Sequence, residues 1–239
     1  MVWHIEHYKN NMLNFDCVYY GNKYSFPYVK NLHNMVERNL TIPHRFICYT
    51  DNVVIAHRKE FRSTNIEFRQ FKRHDFNGWF NKLQLFSPDS QLNGDTLYMD
   101  LDIVIMKNID CFGTIGESKN FVGMNDFNPT SGLFNSSIMR FNNEYHSKPI
   151  WSEYLKRRSE FSNYKGDQEI ISALIKKHTD TISFPDEWTQ SYKWLNRKCE
   201  RYHRGKWTYE QDPNAKVCVF HGYPNPAESD QDWVKKLWN

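Results

Sequence analysis

The sequence has few cysteines and spaces them widely. Five thiols occur in 239 residues, an odd number, and no C-x-x-C pair is present. This pattern argues against a disulfide scaffold and against a cysteine-rich zinc site. Cys17, Cys48 and Cys218 lie in apolar stretches, so we predict that they pack in the core as small hydrophobic residues.

Long apolar runs and a strong net charge are missing as well. No apolar run approaches the roughly 20 residues that a membrane helix needs, and residues 1–7 lack the basic start and apolar stretch of a signal peptide. Together with the thiols, these absences predict a cytoplasmic protein. The formal net charge is only +3, whereas aromatic residues make up 16% of the chain. Rings are therefore numerous enough to build a core and to stack on flat ligands.

No repeat, linker or low-complexity tract divides the chain, so we expect one domain over residues 1–239. Apolar patterns predict a strand at 15–20, a helix at 28–40 and a strand at 45–50, a crossover unit with a parallel pair. One apolar strand with two carboxylates set into it is expected at 96–105, further strands at 121–124, 136–139 and 217–220, and helices at 79–86, 148–158 and 168–177. This alternation predicts an α/β, Rossmann-like fold with a mixed, mostly parallel sheet flanked by helices. Ligands collect at the carboxyl ends of such strands, here at Tyr20, Gly21 and Asp51.

The strongest local signal is LYMDLDIVIM at residues 97–106. Burying an ionised carboxylate costs several kcal/mol or more unless it is paired or bound to metal. The flanks of Asp100 and Asp102 are apolar at both alternating positions, which predicts a strand buried on both faces with the carboxylates at its end. A divalent cation such as Mg²⁺ or Mn²⁺ would compensate them. The plainer alternative places both carboxylates on one solvated face.

Two other functions fit parts of the sequence. DLDIVI fits the first motif of haloacid-dehalogenase-like phosphatases, but the second acidic pair of that class is incomplete in GDQE at 166–169. That motif also normally opens the domain, whereas here it follows a strand-helix-strand unit. The basic stretches at 58–73 and 193–206 are interleaved with aromatic rings, a pattern that also suits single-stranded nucleic acid. The mild net charge and the lack of a known nucleic-acid motif weaken this reading.

A series of segments resembles the metal-dependent glycosyltransferases of the GT-A fold. In chain order they are YYGNKY at 19–24, YTD at 49–51, WFNKL at 79–83, DLD at 100–102, NSS at 135–137, GDQ at 166–168, SYK at 191–193 and HGYP at 221–224. The pattern is similar to the glycogenin and galactosyltransferase-type family, and more closely to small phage and bacterial glycosyltransferases. It covers about residues 15–228. It implies a single GT-A domain with a nucleotide-binding half at about 15–110 and an acceptor-side half at about 111–239.

The resemblance also implies a role for individual residues. Asp100, Asp102 and His221 would hold the metal, and a histidine ligand favours Mn²⁺ over Mg²⁺. The catalytic residues would be Asp167 on the donor-sugar hydroxyls, Gln168 against the anomeric carbon and Lys82 near the donor phosphates or sugar. The other donor-binding residues would be Tyr20, Gly21, Tyr24, Asp51, Asn135, Ser136, Lys193 and Gly222. Without the resemblance, Lys82 would be interpreted as a solvated surface lysine and His221 as a structural or surface residue. Tyr20 and Tyr24 could equally well pack in the core.

The function implied is transfer of a sugar from a nucleotide diphosphate-sugar, a UDP-sugar, with retention of configuration. The acceptor would be a glycan, a lipid-linked glycan, a protein or modified DNA, in the cytoplasm of a bacterial or phage-infected cell. One position departs from the family pattern. A lysine that grips the diphosphate normally follows the HG step in an HGxxKP-like string, but this chain has Asn225 there. The hold on the diphosphate should be weaker unless Lys82, Lys193 or Arg73 supplies the missing charge.

Overall fold

The computed structural model describes residues 12–178, 180–195, 200–201 and 211–239. The N-terminal stretch at 1–7, Cys199 and most of the basic stretch at 193–206 lie outside these ranges. Within them, no helix is both long and apolar enough to cross a membrane.

The central sheet has seven strands. The strands of the chain are β1 (Leu13–Tyr19), β2 (His44–Thr50), β3 (Glu67–Gln70), β4 (Asp95–Met99), β5 (Ile103–Ile105), β6 (Asn120–Asn125), β7 (Phe134–Asn142), β8 (Asp180–Ser183), β9 (Thr189–Ser191), β10 (Trp194–Leu195), β11 (Glu200–Arg201) and β12 (Val217–Val219). The order in the central sheet is β3-β2-β1-β4-β7-β6-β8. β7 runs antiparallel to both neighbours, and the other pairs are parallel. The prediction of a mixed, mostly parallel sheet is confirmed.

Helices cover this sheet. They are α1 (Phe26–Asn39), α2 (Asp110–Thr114), α3 (Asn143–Lys156), α4 (Arg158–Phe161), α5 (Asp167–His178) and α6 (Asp232–Leu237), with 3₁₀ helices at Val53–His57, Lys59–Phe61, Gly78–Phe86, Pro88–Ser90, Asp186–Trp188 and Pro226–Glu228. The helix predicted at 148–158 begins earlier, because the Asn142 side chain accepts a hydrogen bond from the Glu144 N–H at 3.0 Å and caps it.

Alternate residues of the strands feed two hydrophobic clusters. Phe15 of β1 packs in one cluster with Leu32 of α1. Ile47 of β2 packs in the other with Leu174 of α5. Such a division is what a sheet with helices on both faces requires. Three thiols, those of Cys17, Cys48 and Cys218, are fully buried, as predicted.

The DLD segment is a turn between two sheets. β4 ends at Met99, and β5 belongs to a separate three-stranded sheet of order β5-β12-β9. The expectation of one continuous strand across this segment is therefore wrong, although the carboxylates do emerge where β4 ends. β12 pairs antiparallel with β5, and the Phe220 N–H donates to the Asp102 carbonyl at 3.2 Å. This pairing brings His221 and Gly222 to the edge that carries the turn.

Candidate active site

A cleft of about 590 Å³ opens at the carboxyl ends of β1 and β4. Its walls come from the loop after β1, the start of the Gly78–Phe86 helix, the DLD turn, the first residues of β7 and α5, and the segment after β12. The residues of the predicted site that line it are Tyr20, Gly21, Tyr24, Lys82, Asp100, Asp102, Asn135, Ser136, Asp167, Gln168, His221 and Gly222. Asp51 and Lys193 are not among its lining residues. Segments far apart in sequence thus meet at one place.

Lys82 is the centre of a buried polar network. Its Nζ lies 3.0 Å from Asp100 Oδ1 and 2.8 Å from Asp167 Oδ2. It also donates to the Ser136 carbonyl at 3.2 Å, and Ser136 Oγ donates to Asp167 Oδ2 at 2.8 Å. Burial lowers the pKa of Lys82, but the two carboxylates outweigh burial and raise it above its ordinary value. Lys82 is therefore a charged buried group that joins the DLD turn to β7 and α5, not a solvated lysine.

The two carboxylates of the turn have different environments. Tyr98 donates its O–H to Asp100 at 2.6 Å, and Tyr24 donates its O–H to Asp102 at 2.7 Å. Burial raises the pKa of Asp100, but Lys82 and the Tyr98 hydrogen bond lower it below its ordinary value. Burial and then the charge of Asp100 raise the pKa of Asp102 to about 6. Asp102 thus carries negative charge that Lys82 leaves uncompensated, which favours an added cation.

His221 lies across the cleft as a neutral imidazole. Its Nε2 is 2.6 Å from Ser191 Oγ, and its ring stacks on Phe127 with centroids 5.3 Å apart. Burial and then Lys193 lower the pKa of His221 to about 4. A neutral imidazole is the form that binds metal. Within the described parts of the chain, however, no three His, Cys, Asp or Glu side chains are grouped so as to hold an ion.

Two predicted residues, Asp51 and Lys193, contact lining segments of the cleft without lining it themselves. The Asp51 carboxylate accepts a hydrogen bond from the Gly21 N–H at 3.3 Å and so fixes the loop after β1. Gly21 has φ +59°, a conformation that glycine adopts at little cost. Lys193 donates from Nζ to the His221 carbonyl, behind the Gly222 turn. Both residues support lining segments.

Trp79 and Gln168 show where the sequence was informative and where it was not. The helix predicted at 79–86 has Trp79, Leu83 and Phe86 on one face, but Leu83 and Phe86 are buried whereas Trp79 is 54% exposed and lines the cleft. The helix there is 3₁₀, with three residues per turn, so the 3.6-residue spacing does not apply.

Gln168 donates to Asp126 at 3.3 Å. Asp126 lies in the connection between β6 and β7 and had no signal in the sequence.

Solved structures of similar fold were found, although no protein-family model and no curated protein matches the chain. The apo form of the glycosyltransferase GlyE of Streptococcus pneumoniae superimposes over 95% of this chain with a TM-score of 0.68 and 12% identity. An active-site mutant of LgtC superimposes over 94% of it with a TM-score of 0.67 and 13% identity. The chain has the GT-A fold. It spans 59% of the GlyE chain and 93% of the LgtC chain.

In this GT-A fold the cleft occupies the position expected of a ligand site in a parallel sheet. It opens where β1 and β4 end, and the antiparallel β7 brings the start of its own strand to the same edge. Of the residues expected at this strand-end position, Tyr20 and Gly21 line the cleft, whereas Asp51 does not. The cleft is therefore lined by the carboxyl groups of Asp100, Asp102 and Asp167, the buried ammonium of Lys82 and the neutral imidazole of His221.

Proposed function

We propose that the chain is a glycosyltransferase that uses a divalent metal to transfer a sugar from a nucleotide diphosphate-sugar to an acceptor. The observation that carries the proposal is the DLD turn. Asp100 and Asp102 lie at the end of β4 in a cleft of the GT-A fold, and one buried ammonium, that of Lys82, contacts Asp100 and Asp167. The negative charge left at Asp102 supports a cation there.

The chemistry of the donor set fits Mn²⁺ or Mg²⁺. Asp100 and Asp102 supply oxygen ligands and His221 a neutral nitrogen, a mixed set that favours Mn²⁺. A bound metal neutralises the charge that develops on the departing diphosphate. Because Asp100 contacts Lys82 and His221 contacts Ser191, binding requires at least one of these side chains to change partner. Tyr24 donates to Asp102 and would keep that carboxylate oriented during the exchange.

The donor sugar would contact the wall opposite the turn. Lys82 and Ser136 hold the Asp167 side chain in place at the first turn of α5, where its oxygens can accept hydrogen bonds from sugar hydroxyls. Asn135 adds an amide, and Gln168 places its own amide against the cleft. The loop at Tyr20, Gly21 and Tyr24, supported by Asp51, would hold the nucleotide.

Retention of configuration is part of the proposal. The carboxylates that line the cleft are Asp100, Asp102 and Asp167. The first two are assigned to the metal, and Asp167 is held by Lys82 and Ser136. None of these three is left to act as the base that inversion would need. A UDP-sugar remains the proposed donor, and a glycan, a lipid-linked glycan, a protein or modified DNA the proposed acceptor. The protein would act in the cytoplasm of a bacterial or phage-infected cell.

A thermal-shift panel tests the proposal. UDP, GDP, ADP and CDP are each added with and without Mn²⁺, and we expect at least one, UDP foremost, to raise Tm only when the metal is present. Asp102→Ala should remove this metal-linked shift. The variant should still fold, because it deletes a carboxyl group whose burial costs free energy. The matched control is Asp89→Ala, an exposed position, which should keep the shift. If no nucleotide stabilises the protein with metal, or if Asp102→Ala keeps the full shift, the proposal is wrong.

A further inference from the structure

Position 225 holds an asparagine in place of the lysine that the family resemblance implies. A nucleoside diphosphate carries several negative charges, and a metal held by two carboxylates balances only part of them. Asn225 does not line the cleft, and its N–H donates to Glu228 Oε2 at 2.8 Å at the start of the Pro226–Glu228 helix. If the cleft binds a diphosphate, another cation is needed near it. This inference therefore rests on the proposed function.

Two of the residues considered as replacements are already committed elsewhere. Lys82 forms ion pairs with Asp100 and Asp167, and moving it would leave a buried carboxylate unpaired. Arg73 pairs with Asp75 at 2.9 Å and lies over the rings of Phe76 and Trp151. None of these Arg73 contacts is a lining residue of the cleft. Neither residue supplies a free positive charge to the site.

Lys23 lies on the wall formed by the loop after β1. It is exposed and lines the cleft. Its ammonium lies 4.5 Å from the centroid of the Tyr24 ring, whose hydroxyl donates to Asp102. Lys23 is thus an accessible ammonium on the Asp102 side of the cleft, and sequence reasoning gave it no role.

Lys193 lies next to a different lining segment of the cleft, on the stretch after β9. Its ammonium donates to the His221 carbonyl, and a Cβ built on Gly222 would lie 3.3 Å from Nζ. Gly222 itself lines the cleft. The Lys193 ammonium is therefore beside the segment of His221 and Gly222, which lines the cleft.

We propose that Lys23 and Lys193 together form the diphosphate-binding cation pair of this chain, in place of the lysine absent at Asn225. A diphosphate bound by both ammoniums accepts charge-assisted hydrogen bonds from each of them. The pair and a metal at the DLD turn would then contact the diphosphate from different sides. In this arrangement Lys193 exchanges the His221 carbonyl for a phosphate oxygen.

Calorimetric binding at saturating Mn²⁺ tests the pair. The probes are UDP, GDP, ADP and CDP, followed by the monophosphate and the nucleoside of whichever diphosphate binds wild type. We expect Lys23→Met and Lys193→Met each to weaken diphosphate binding about tenfold to a hundredfold, the effect of losing one hydrogen bond to a charged group. Nucleoside affinity should stay within about twofold, since the base and ribose do not contact the pair.

Conservative and distant variants separate this role from a structural one. Lys23→Arg and Lys193→Arg keep the charge and should bind the diphosphate within about fivefold of wild type. Lys72→Met, an exposed lysine outside the cleft, should bind like wild type. If wild type binds a diphosphate and both Met variants bind it equally well, the cation pair is wrong while the glycosyltransferase proposal stands. If wild type binds none of the four diphosphates, both are wrong.

Discussion

Asp16 is a buried carboxyl group inside the central sheet. It lies in the middle of β1 with a side chain that is 0% exposed, and neither oxygen has a hydrogen-bond partner among the described residues. Burial raises the pKa of Asp16 well above its ordinary value, although the charges of Arg69 and Arg45 act to lower it. The residue does not line the cleft, so its effect on stability can be measured apart from the proposed site.

We predict that Asp16→Asn removes a pH-dependent loss of stability. A carboxyl group whose pKa is raised by folding binds more protons in the folded state. The contribution of Asp16 to the free energy of unfolding is therefore fully present below the pKa that Asp16 has in the unfolded chain. It declines by up to about 1.4 kcal/mol per pH unit as the pH rises from there toward the pKa of Asp16 in the folded protein. Urea denaturation from pH 4.5 to 8 should show the Asn variant gaining stability relative to wild type. Parallel curves for the two proteins would contradict the prediction.

Single residues were predictable where a motif combined polar groups with an apolar strand. Asp100 and Asp102 stood out for this reason, and the structure places both in the cleft. The partners that fix those groups were not predictable in the same way. Tyr98 lies within an apolar run, and Ser191 is a common polar residue in a segment that was noted only as a whole. Their positions depend on which strand ends meet, which no single segment determines.

At the scale of elements, the contact between β6 and β7 depends on a glycine. A Cβ at Gly123 would lie 2.5 Å from Cδ1 of Phe134. Phe134 cannot easily move away, because its N–H donates to Ser172 Oγ at 3.0 Å and its carbonyl accepts from the same hydroxyl at 3.2 Å. The residues that follow it are Asn135 and Ser136, so the packing also positions the start of β7 at the cleft.

We predict that Gly123→Ala destabilises the protein by about 1–3 kcal/mol through overpacking. Gly166→Ala is the matched control, since the nearest heavy atom to its Cβ would be Trp79 Nε1 at 3.9 Å, an ordinary contact. Its free energy of unfolding should change by less than about 1 kcal/mol. Chemical denaturation measures both variants. An equal loss in the two would show that the Phe134 contact is not what limits this position.

Elements were predictable in type more than in extent. The strands at 45–50 and 121–124 and the helix at 28–40 match β2, β6 and α1 closely, because each has a clear apolar period. The run from 97 to 105 was read as one strand, since apolar residues continue through it on both sides of the carboxylates. Both flanking pieces are buried, but in different sheets, and hydrophobicity alone does not distinguish the two sheets.

At the scale of the whole molecule, the two halves expected at 15–110 and 111–239 share one sheet. β4 of the first half pairs with β1 on one side and with β7 of the second half on the other. The last residues also return to the first half, where Arg38 donates to the Asn239 carbonyl at 2.8 Å and Tyr28 packs against Trp238. Removing either half would leave long strand edges and apolar surface exposed.

We predict that the chain unfolds in one cooperative transition. Far-ultraviolet circular dichroism and tryptophan fluorescence should give the same urea midpoint, because neither half keeps its core without the other. A fragment covering residues 12–110 should show no cooperative transition. Two separated midpoints, or a cooperatively folding fragment, would mean that the halves are independent units.

Because β7 runs antiparallel to its neighbours, its two ends lie at different rims of the sheet, and only one of these rims carries the cleft. Its first residues reach the cleft, whereas its last ones adjoin the far rim, where the Asn143 N–H donates to the Gly94 carbonyl at 3.0 Å. The five residues of β4 put roughly 17 Å between these rims. A fluorophore or an immobilisation tag attached beside Gly94 would leave the entrance of the cleft unobstructed, which makes that rim the place to anchor the protein for surface-based assays.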